Sequence, residues 1–328
     1  MLDSSTTSKV SIAPMMDWTD RHCRYFMRLL SPSVRLYTEM VTTAALCHGD
    51  AGALLQFDPS EHPVALQLGG SDSATMARAA KMGADAGYDE ININIGCPSD
   101  RVQSGAFGAC LMANPQLVAD CVAAARDVVE IPVTIKTRIG IDDHDSFEFL
   151  QDFMATVAAA GCELFVVHAR KAILSGLSPK ENRRVPPLNH ERVHAIKKAF
   201  PDLTIILNGG ITTIAQCQQQ LELVDGVMIG RQAYQQPWFL FELEQAMQGK
   251  EPASTPGRDQ IIEQMYPYIE KQLQLGVPLK SITRHLFGLF AGQPGARAWR
   301  RYLSEHAYQS GAGIEVLQRA LERLPKAA

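Results

Sequence analysis

The stretch INIGCPSDRVQSGAFGACLM, residues 93–112, changes character twice. Up to Ile95 it is the end of an apolar, β-rich run, Ile91–Ile95. It breaks at Gly96-Cys97-Pro98, and small and polar residues follow before apolar ones return. A run this short and this apolar, closed by a turn, reads as a buried strand. The same unit recurs along the chain. Val10–Ala13, Leu36–Thr38, Val64–Leu68, Val133–Lys136, Leu164–His168, Thr204–Leu207 and Gly226–Ile229 bring the count to eight. Helical periodicity fills the gaps, as in ATMARAAKMGADAG (74–87) and PQLVADCVAAARDVV (115–129). Continuous apolarity suits a parallel sheet covered on both faces. Eight strand–helix units in about 220 residues are the count and length of a TIM barrel. A doubly wound open sheet would want Gly-x-Gly-x-x-Gly after its first strand, and APMMDWTD (13–20) provides none.

After Met247 the pattern changes. QGKEPASTPGRD (248–259) is a Pro/Gly/Ser-rich linker without periodicity. Beyond it only helical spacing appears: Ile262, Met265, Ile269 and Leu273, then Ile282, Leu286 and Leu289, then Trp299, Tyr302 and Leu303, then Ile314, Leu317 and Leu321. The expectation is an α/β chain with a TIM (β/α)8 barrel over residues 1–247, a linker at 248–256 and a small all-helical domain over 257–328. A length of 328 residues suits one large and one small domain.

Composition narrows the class. Seven cysteines without a Cys-x-x-Cys pair argue for a reducing, cytoplasmic setting and against both a disulfide framework and a structural zinc site, so no metal is expected. No segment approaches the ~20 apolar residues of a membrane span, and the first residues lack the basic-then-apolar pattern of a secretory signal. The net charge of −4 is uninformative alone. From Glu251 onward, however, ten Lys and Arg stand against seven Asp and Glu, net +3, leaving −7 for the rest.

A TIM barrel does its chemistry at the C-terminal ends of its strands. Those ends read Pro14–Met16, Glu39–Met40, Gln67–Gly70, Asn94–Pro98, Lys136–Gly140, His168–Lys171, Asn208–Ile211 and Gly230–Ala233. Taken singly, each polar residue is an ordinary hydrogen-bonder; together they form a constellation that a structural barrel has no use for. The last two loops commonly bind phosphate in this fold. Asn208-Gly209-Gly210 lets backbone N–H groups approach oxygens, and Gly230-Arg231 adds a charge-assisted bond. A phosphate-bearing cofactor there would reach Gln67, Lys136 and His168. Flavin mononucleotide fits, with an amide for its uracil-like edge and a cation for its reduced, anionic ring, although spacing alone admits other phosphorylated ligands.

NIGCPSDRVQSGAFGACLM, together with APMMDWTDRHCR (13–24), IKTRIGID (135–142), HARKAILSGLSPKENR (168–183), NGGI (208–211) and GVMIGRQAY (226–234), closely resembles the tRNA-dihydrouridine synthases. LSPKENR (177–183) and ARAWRRYLSE (296–305) look like the A subfamily. The resemblance runs over nearly the whole chain; only Met1–Ser8 matches nothing and is expected to be a tail. It implies a flavin-binding barrel with a helical tRNA-binding domain, FMN as cofactor, NADPH as electron donor, and reduction of tRNA D-loop uridines at positions 20 and 20a. By resemblance Cys97 is the acid that protonates C5 of the uracil after hydride reaches C6. Pro14, Met15, Met16, Gln67, Lys136, His168, Asn208, Gly209, Gly210, Gly230 and Arg231 would bind the cofactor. Asn94, Arg138, Lys180, Arg183, Arg297 and Arg300 would bind tRNA. The glycines of SGAFGA (104–109) would let that loop close over the base. Cys110, Cys121 and Cys162 are read as core. Two other readings stay open: a flavin barrel acting on a free pyrimidine, like a dihydroorotate dehydrogenase, and a non-catalytic tRNA-binding protein.

Overall fold

The computed structural model describes residues 9–99, 105–249 and 256–325. The expected tail at 1–8, the start of the loop after Cys97 and most of the expected linker lie outside these residues. The chain divides into two compact units: residues up to Met16 with Val34–Gly230, and Asp17–Ser33 with Arg231 onward.

The first unit is the expected TIM barrel. Its strands are β1 (Val10–Ile12), β2 (Leu36–Tyr37), β3 (Val41–Thr42), β4 (Val64–Gly69), β5 (Glu90–Ile95), β6 (Val133–Arg138), β7 (Leu164–His168), β8 (Thr204–Asn208) and β9 (Gly226–Ile229). All pairs are parallel, in the order β1-β9-β8-β7-β6-β5-β4-β2. The ends of this path meet where the Ile12 N–H donates to the Arg35 carbonyl at 2.9 Å and the Arg35 N–H to Val10 at 3.1 Å. Nine strands make eight staves because the second is split. The apolar run predicts one strand over Leu36–Thr38; instead β2 stops at Tyr37, and β3 resumes farther along β4, Val41 opposite Leu68. At the break, the Thr38 hydroxyl takes the place of a ladder carbonyl and accepts from the Gln67 N–H at 2.9 Å.

Helices Ser73–Asp85, Pro115–Arg126, Phe147–Ala159, His190–Ala199 and Ile214–Leu221 follow β4, β5, β6, β7 and β8. Each starts at a side chain that accepts an otherwise unpaired backbone N–H: Asp72, Asn114, Ser146, Asn189 and Thr213. The outward positions of the strands, such as Ile91, Ile93, Ile95 and Ile135, are fully buried. The inward positions are of two kinds. Ala13, Leu164, Val166, Ile206 and Met228, with Tyr37 and Ala65, form an apolar cluster. On β4, β5 and β6 the alternate positions carry Gln67, Glu90, Asn92, Asn94 and Thr134, all buried.

The second unit is helical: Arg21–Leu30, Arg231–Gln235, Trp238–Gln248, Arg258–Gln274, Leu279–Thr283, Ala296–His306 and Glu315–Leu321. Its core holds Ile262, Met265, Ile269, Ile282, Leu286, Leu289, Trp299, Leu303 and Leu317. The Trp299 indole donates to Leu286 O at 3.1 Å, so its one polar atom is satisfied inside that core. Asp20 caps the first of these helices and pairs with Arg284 at 2.6 Å. No described helix is long and apolar enough to cross a membrane.

Candidate active site

Cys97 sits two residues beyond β5, half-buried, in a turn held from three directions. Asn94 Oδ1 accepts from the backbone N–H of Gly96 at 3.1 Å and of Cys97 at 2.9 Å. The Ala109 N–H donates to the Cys97 carbonyl at 3.0 Å. Arg138 Nε donates to Gly96 O at 2.8 Å. The thiol lies 3.6 Å from the Ser99 hydroxyl. Of SGAFGA, Ser104 is outside the described residues; the rest leads into the turn Gly108–Ala113.

Beside this turn stands a cluster of basic side chains, Lys136 and Arg138 on β6 and His168 on β7. Lys136 Nζ donates to Asn208 Oδ1 at 3.0 Å. Burial, with Arg138 adding repulsion against the pull of Cys97, pushes the Lys136 ammonium down to about 7. Burial also lowers Arg138, to about 10, with Cys97 opposing and Arg183 and Arg170 adding to the shift. His168 is held well below the ordinary imidazole range by burial, then by Arg138, Lys136, Arg170 and Arg183. The charged groups that bear on this set are cations, Arg170 and Arg183 among them, with Cys97 alone pulling the other way. Such a set repels itself and favours an anion.

The turn after β8 is built for close approach. Gly209 and Gly210 have φ of +112° and +79°, which disfavour side chains. A Cβ on Gly209 would also lie 2.7 Å from the His168 ring. His190 Nε2 donates to Gly209 O at 2.8 Å and fixes the turn. Gly230 follows β9 beside Met15; a Cβ there would be 3.8 Å from the Met15 sulfur. Pro14 and Met15 are half-buried and Met16 is 56 % exposed. Arg231, the next residue after Gly230, is exposed and opens the helix Arg231–Gln235. The half-buried Lys136, the glycine turn and the adjacent imidazole together fit a phosphate-bearing, anionic cofactor.

The loop after β7 owes its form to Asn182, a residue absent from the predicted set. It is fully buried; its Oδ1 accepts from Ile173 N at 2.8 Å, and its Nδ2 donates to Ile173 O at 2.9 Å. Around it Lys180, Arg183 and Arg184 are exposed. Arg138 braces the same loop, reaching Lys171 O at 3.0 Å and Asn182 O at 3.2 Å. In the helical unit, Arg297 and Arg300 are exposed on Ala296–His306 while Trp299, Tyr302 and Leu303 are buried. Arg301, their neighbour, is engaged by Glu305 at 2.7 Å. Cys121 and Cys162 are buried as expected; Cys110 is only half-buried.

Beneath the turn the predicted Gln67 and Asn94 join three residues the sequence reading missed, Asn92, Thr134 and Glu90. Gln67 Nε2 donates to Asn92 Oδ1 at 2.8 Å, and Asn94 Nδ2 donates to Gln67 Oε1 at 2.9 Å. Asn92 in turn reaches Thr134, and Thr134 reaches Glu90. The period-two alternation of polar residues in EININI and VTIKTR was the available signal.

A TIM barrel with a reachable thiol, an anion-seeking cation cluster and a glycine cradle at the strand ends is built as an enzyme. The chain belongs to the dihydrouridine synthase family, whose family model, "Dihydrouridine synthase (Dus)", matches residues 11–325. Among its relatives, the tRNA-dihydrouridine(20/20a) synthase of Vibrio vulnificus (strain CMCP6) is 58% identical over 319 residues, covering 97% of each chain. That of Escherichia coli (strain K12) is 58% identical over 323 residues, 98% of this chain and 92% of the other. That of Shewanella oneidensis is 59% identical over 312 residues, 95% and 92%. Among solved structures, a 2-naphthoyl-CoA reductase in complex with 2-naphthoyl-CoA is similar in fold alone, with TM-score 0.54 and 11% identity, over 74% of this chain and 50% of the other.

Proposed function

We propose that this protein is an oxidoreductase that reduces D-loop uridines of tRNA, at positions 20 and 20a, to 5,6-dihydrouridine. The observation that carries the reading is the Cys97 turn, pinned by Asn94 and Arg138 next to the cations Lys136 and Arg138 and the neutral imidazole of His168. The relatives that bear this activity in their names support it. FMN is the cofactor that fits, reduced by NADPH. Gln67, Lys136, His168, Asn208, Gly209, Gly210 and Gly230 would hold it, with Pro14, Met15, Met16 and Arg231. When bound, reduced flavin supplies hydride to C6 of the uracil. Cys97 gives its proton to C5 from the neutral thiol. Lys136 and Arg138 stand near the sulfur that the proton leaves. Asn94 and Arg138 orient the base. Lys180 and Arg183 meet the tRNA backbone beside it.

The functional division we propose is a catalytic part to Met247, which contains the barrel, and a tRNA-binding helical part from Gly257, working in the cytoplasm. Arg297 and Arg300 hold phosphates there. Their binding energy offsets the few kcal/mol needed to flip a uridine out of its loop. The test is to incubate the purified protein with FMN, NADPH and an unmodified tRNA transcript, then digest and read nucleosides by mass spectrometry. Dihydrouridine should appear at positions 20 and 20a, and Cys97→Ala should lower turnover on the order of 10²–10⁴-fold. A transcript left unmodified by flavin-loaded protein would overturn the activity. A Cys97→Ala variant at full rate would overturn the role of the thiol.

A further inference from the structure

A continuous chain of buried hydrogen bonds runs up the polar half of the barrel interior and ends at the Cys97 turn. Its lower end is Glu90, whose Oε2 is 3.3 Å from Arg35 Nη1 and whose Oε1 accepts from the Tyr37 hydroxyl at 2.8 Å. Thr134 Oγ1 donates to the same Oε1 at 2.6 Å, and Asn92 Nδ2 donates to Thr134 Oγ1 at 2.8 Å. From Asn92 the chain passes to Gln67, then Asn94, then the backbone of Gly96 and Cys97. Glu90, Asn92, Thr134 and Gln67 are at most 1% exposed. The strand register places them side by side, Gln67 opposite Asn92 and Asn92 opposite Thr134.

The polarity of this chain is forced from both ends. At the top, two backbone N–H groups can only donate, so Asn94 must turn its oxygen to them and its NH₂ to Gln67. That leaves Gln67 one orientation, oxygen toward Asn94 and nitrogen toward Asn92. Asn92 is set the same way, with its nitrogen toward Thr134. The Thr134 hydroxyl accepts there, so its proton must go to Glu90. At the bottom, a carboxylate facing Arg35 can only accept. A reversed amide anywhere would set donor against donor in a dry interior, which a buried network tolerates poorly.

We propose that Glu90, Thr134 and Asn92 are positioning residues, fixing which donors and acceptors Gln67 and Asn94 present at the barrel mouth and, through Asn94, holding the Cys97 turn. This rests on the reading of the mouth given above but makes a claim of its own. After their internal bonds, Gln67 keeps one N–H and one lone pair, and Asn94 one N–H, for a ligand. Without the anchor below, those offers are no longer set.

Thr134→Val removes the middle link while keeping shape and leaving the Arg35–Glu90 pair in place; Thr134→Ser restores the hydroxyl. Two readouts are taken on folded, purified protein: kcat and KM for tRNA with FMN and NADPH, and the rate at which iodoacetamide labels Cys97, read by peptide mass spectrometry. Thr134→Val should lower kcat roughly 10- to 100-fold with KM for tRNA unchanged, as a misplaced reacting group does. It should also change Cys97 labelling several-fold, and Thr134→Ser should return both to wild type. If Thr134→Val folds poorly, Glu90→Gln, of the same shape but able to donate, should move labelling in the same direction. Wild-type kcat and labelling in the folded variants would overturn the proposal, as would losses that Thr134→Ser does not rescue. Labelling does not need turnover, so a failure of Cys97 as the acid would show separately, in Cys97→Ala.

Discussion

Lys136 carries its charge at some cost inside the barrel. Its ammonium, ordinarily protonated to about 10.5, is pushed down to about 7 by burial and by Arg138. Between those values the unfolded chain holds a proton that the folded chain has shed. Stability of the cofactor-free protein from this group therefore rises with pH across that window and is lower below it. An anionic ligand reverses the preference, because it favours the charged ammonium. FMN affinity should be highest below pH about 7 and fall as pH rises, by at most about tenfold per unit if one proton is linked. Flavin fluorescence titrations from pH about 6 to about 9 read this directly. Lys136→Met should bind FMN more weakly and with a flatter profile; a wild-type profile as flat as the variant's would remove Lys136 from the cofactor. His168, held neutral across the same range, contributes no such slope.

At the level of elements, the loop after β7 shows how one buried amide presents several charges. Asn182→Ala would strand the Ile173 N–H and C=O, at about 1–3 kcal/mol. Because the loop is local, its opening should precede global unfolding. Trypsin should cut after Lys180, Arg183 or Arg184 on the order of tenfold faster in Asn182→Ala, while the thermal midpoint falls modestly. Cleavage at the wild-type rate would mean that Asn182 does not hold the loop. Asn182 was hidden inside the charge run KENRR, where its neighbours are exposed and only tertiary contacts single it out. The eight apolar runs were legible because the outward faces of the strands are apolar almost throughout, Thr137 on β6 being an exception. Their ends were less so: β5 begins at Glu90 and β6 continues through Arg138, since inward positions follow the barrel lumen rather than the apolar pattern. The split second stave depends on the Thr38 hydroxyl meeting Gln67, a pairing 29 residues apart that no local pattern encodes. Cys97, Asn94 and the cations were readable because they stand at strand ends. The chain beneath them spans β4, β5 and β6, and its meaning arises only from their register.

For the whole molecule the decisive quantity is the split of charge. Residues before Glu251 carry −7 and those from it onward +3. A polyanion such as tRNA meets the basic part favourably. With Arg301 engaged by Glu305, Arg297 and Arg300 are the exposed pair on that helix face best suited to phosphate. Arg297→Ala with Arg300→Ala should weaken tRNA binding and lower the slope of log K against log salt by roughly one per lost contact. Flavin content should be unaffected. Superimposable salt series for wild type and the double variant would place the tRNA grip elsewhere.

The two-faced lumen, apolar around Leu164, Val166, Ile206 and Met228 and amide-lined around Gln67, Asn92 and Asn94, also sets how this sequence can drift. On the apolar side a methyl group gained at one position can be lost at the next, and neighbours change in small independent steps. On the amide side each residue dictates the orientation of the one above it, so a first substitution spoils its partner and a second must repair it. Lineages descending from this chain should therefore wander freely at the apolar lumen positions of β7, β8 and β9, and change at the amide-lined positions of β4, β5 and β6 only in matched pairs or not at all.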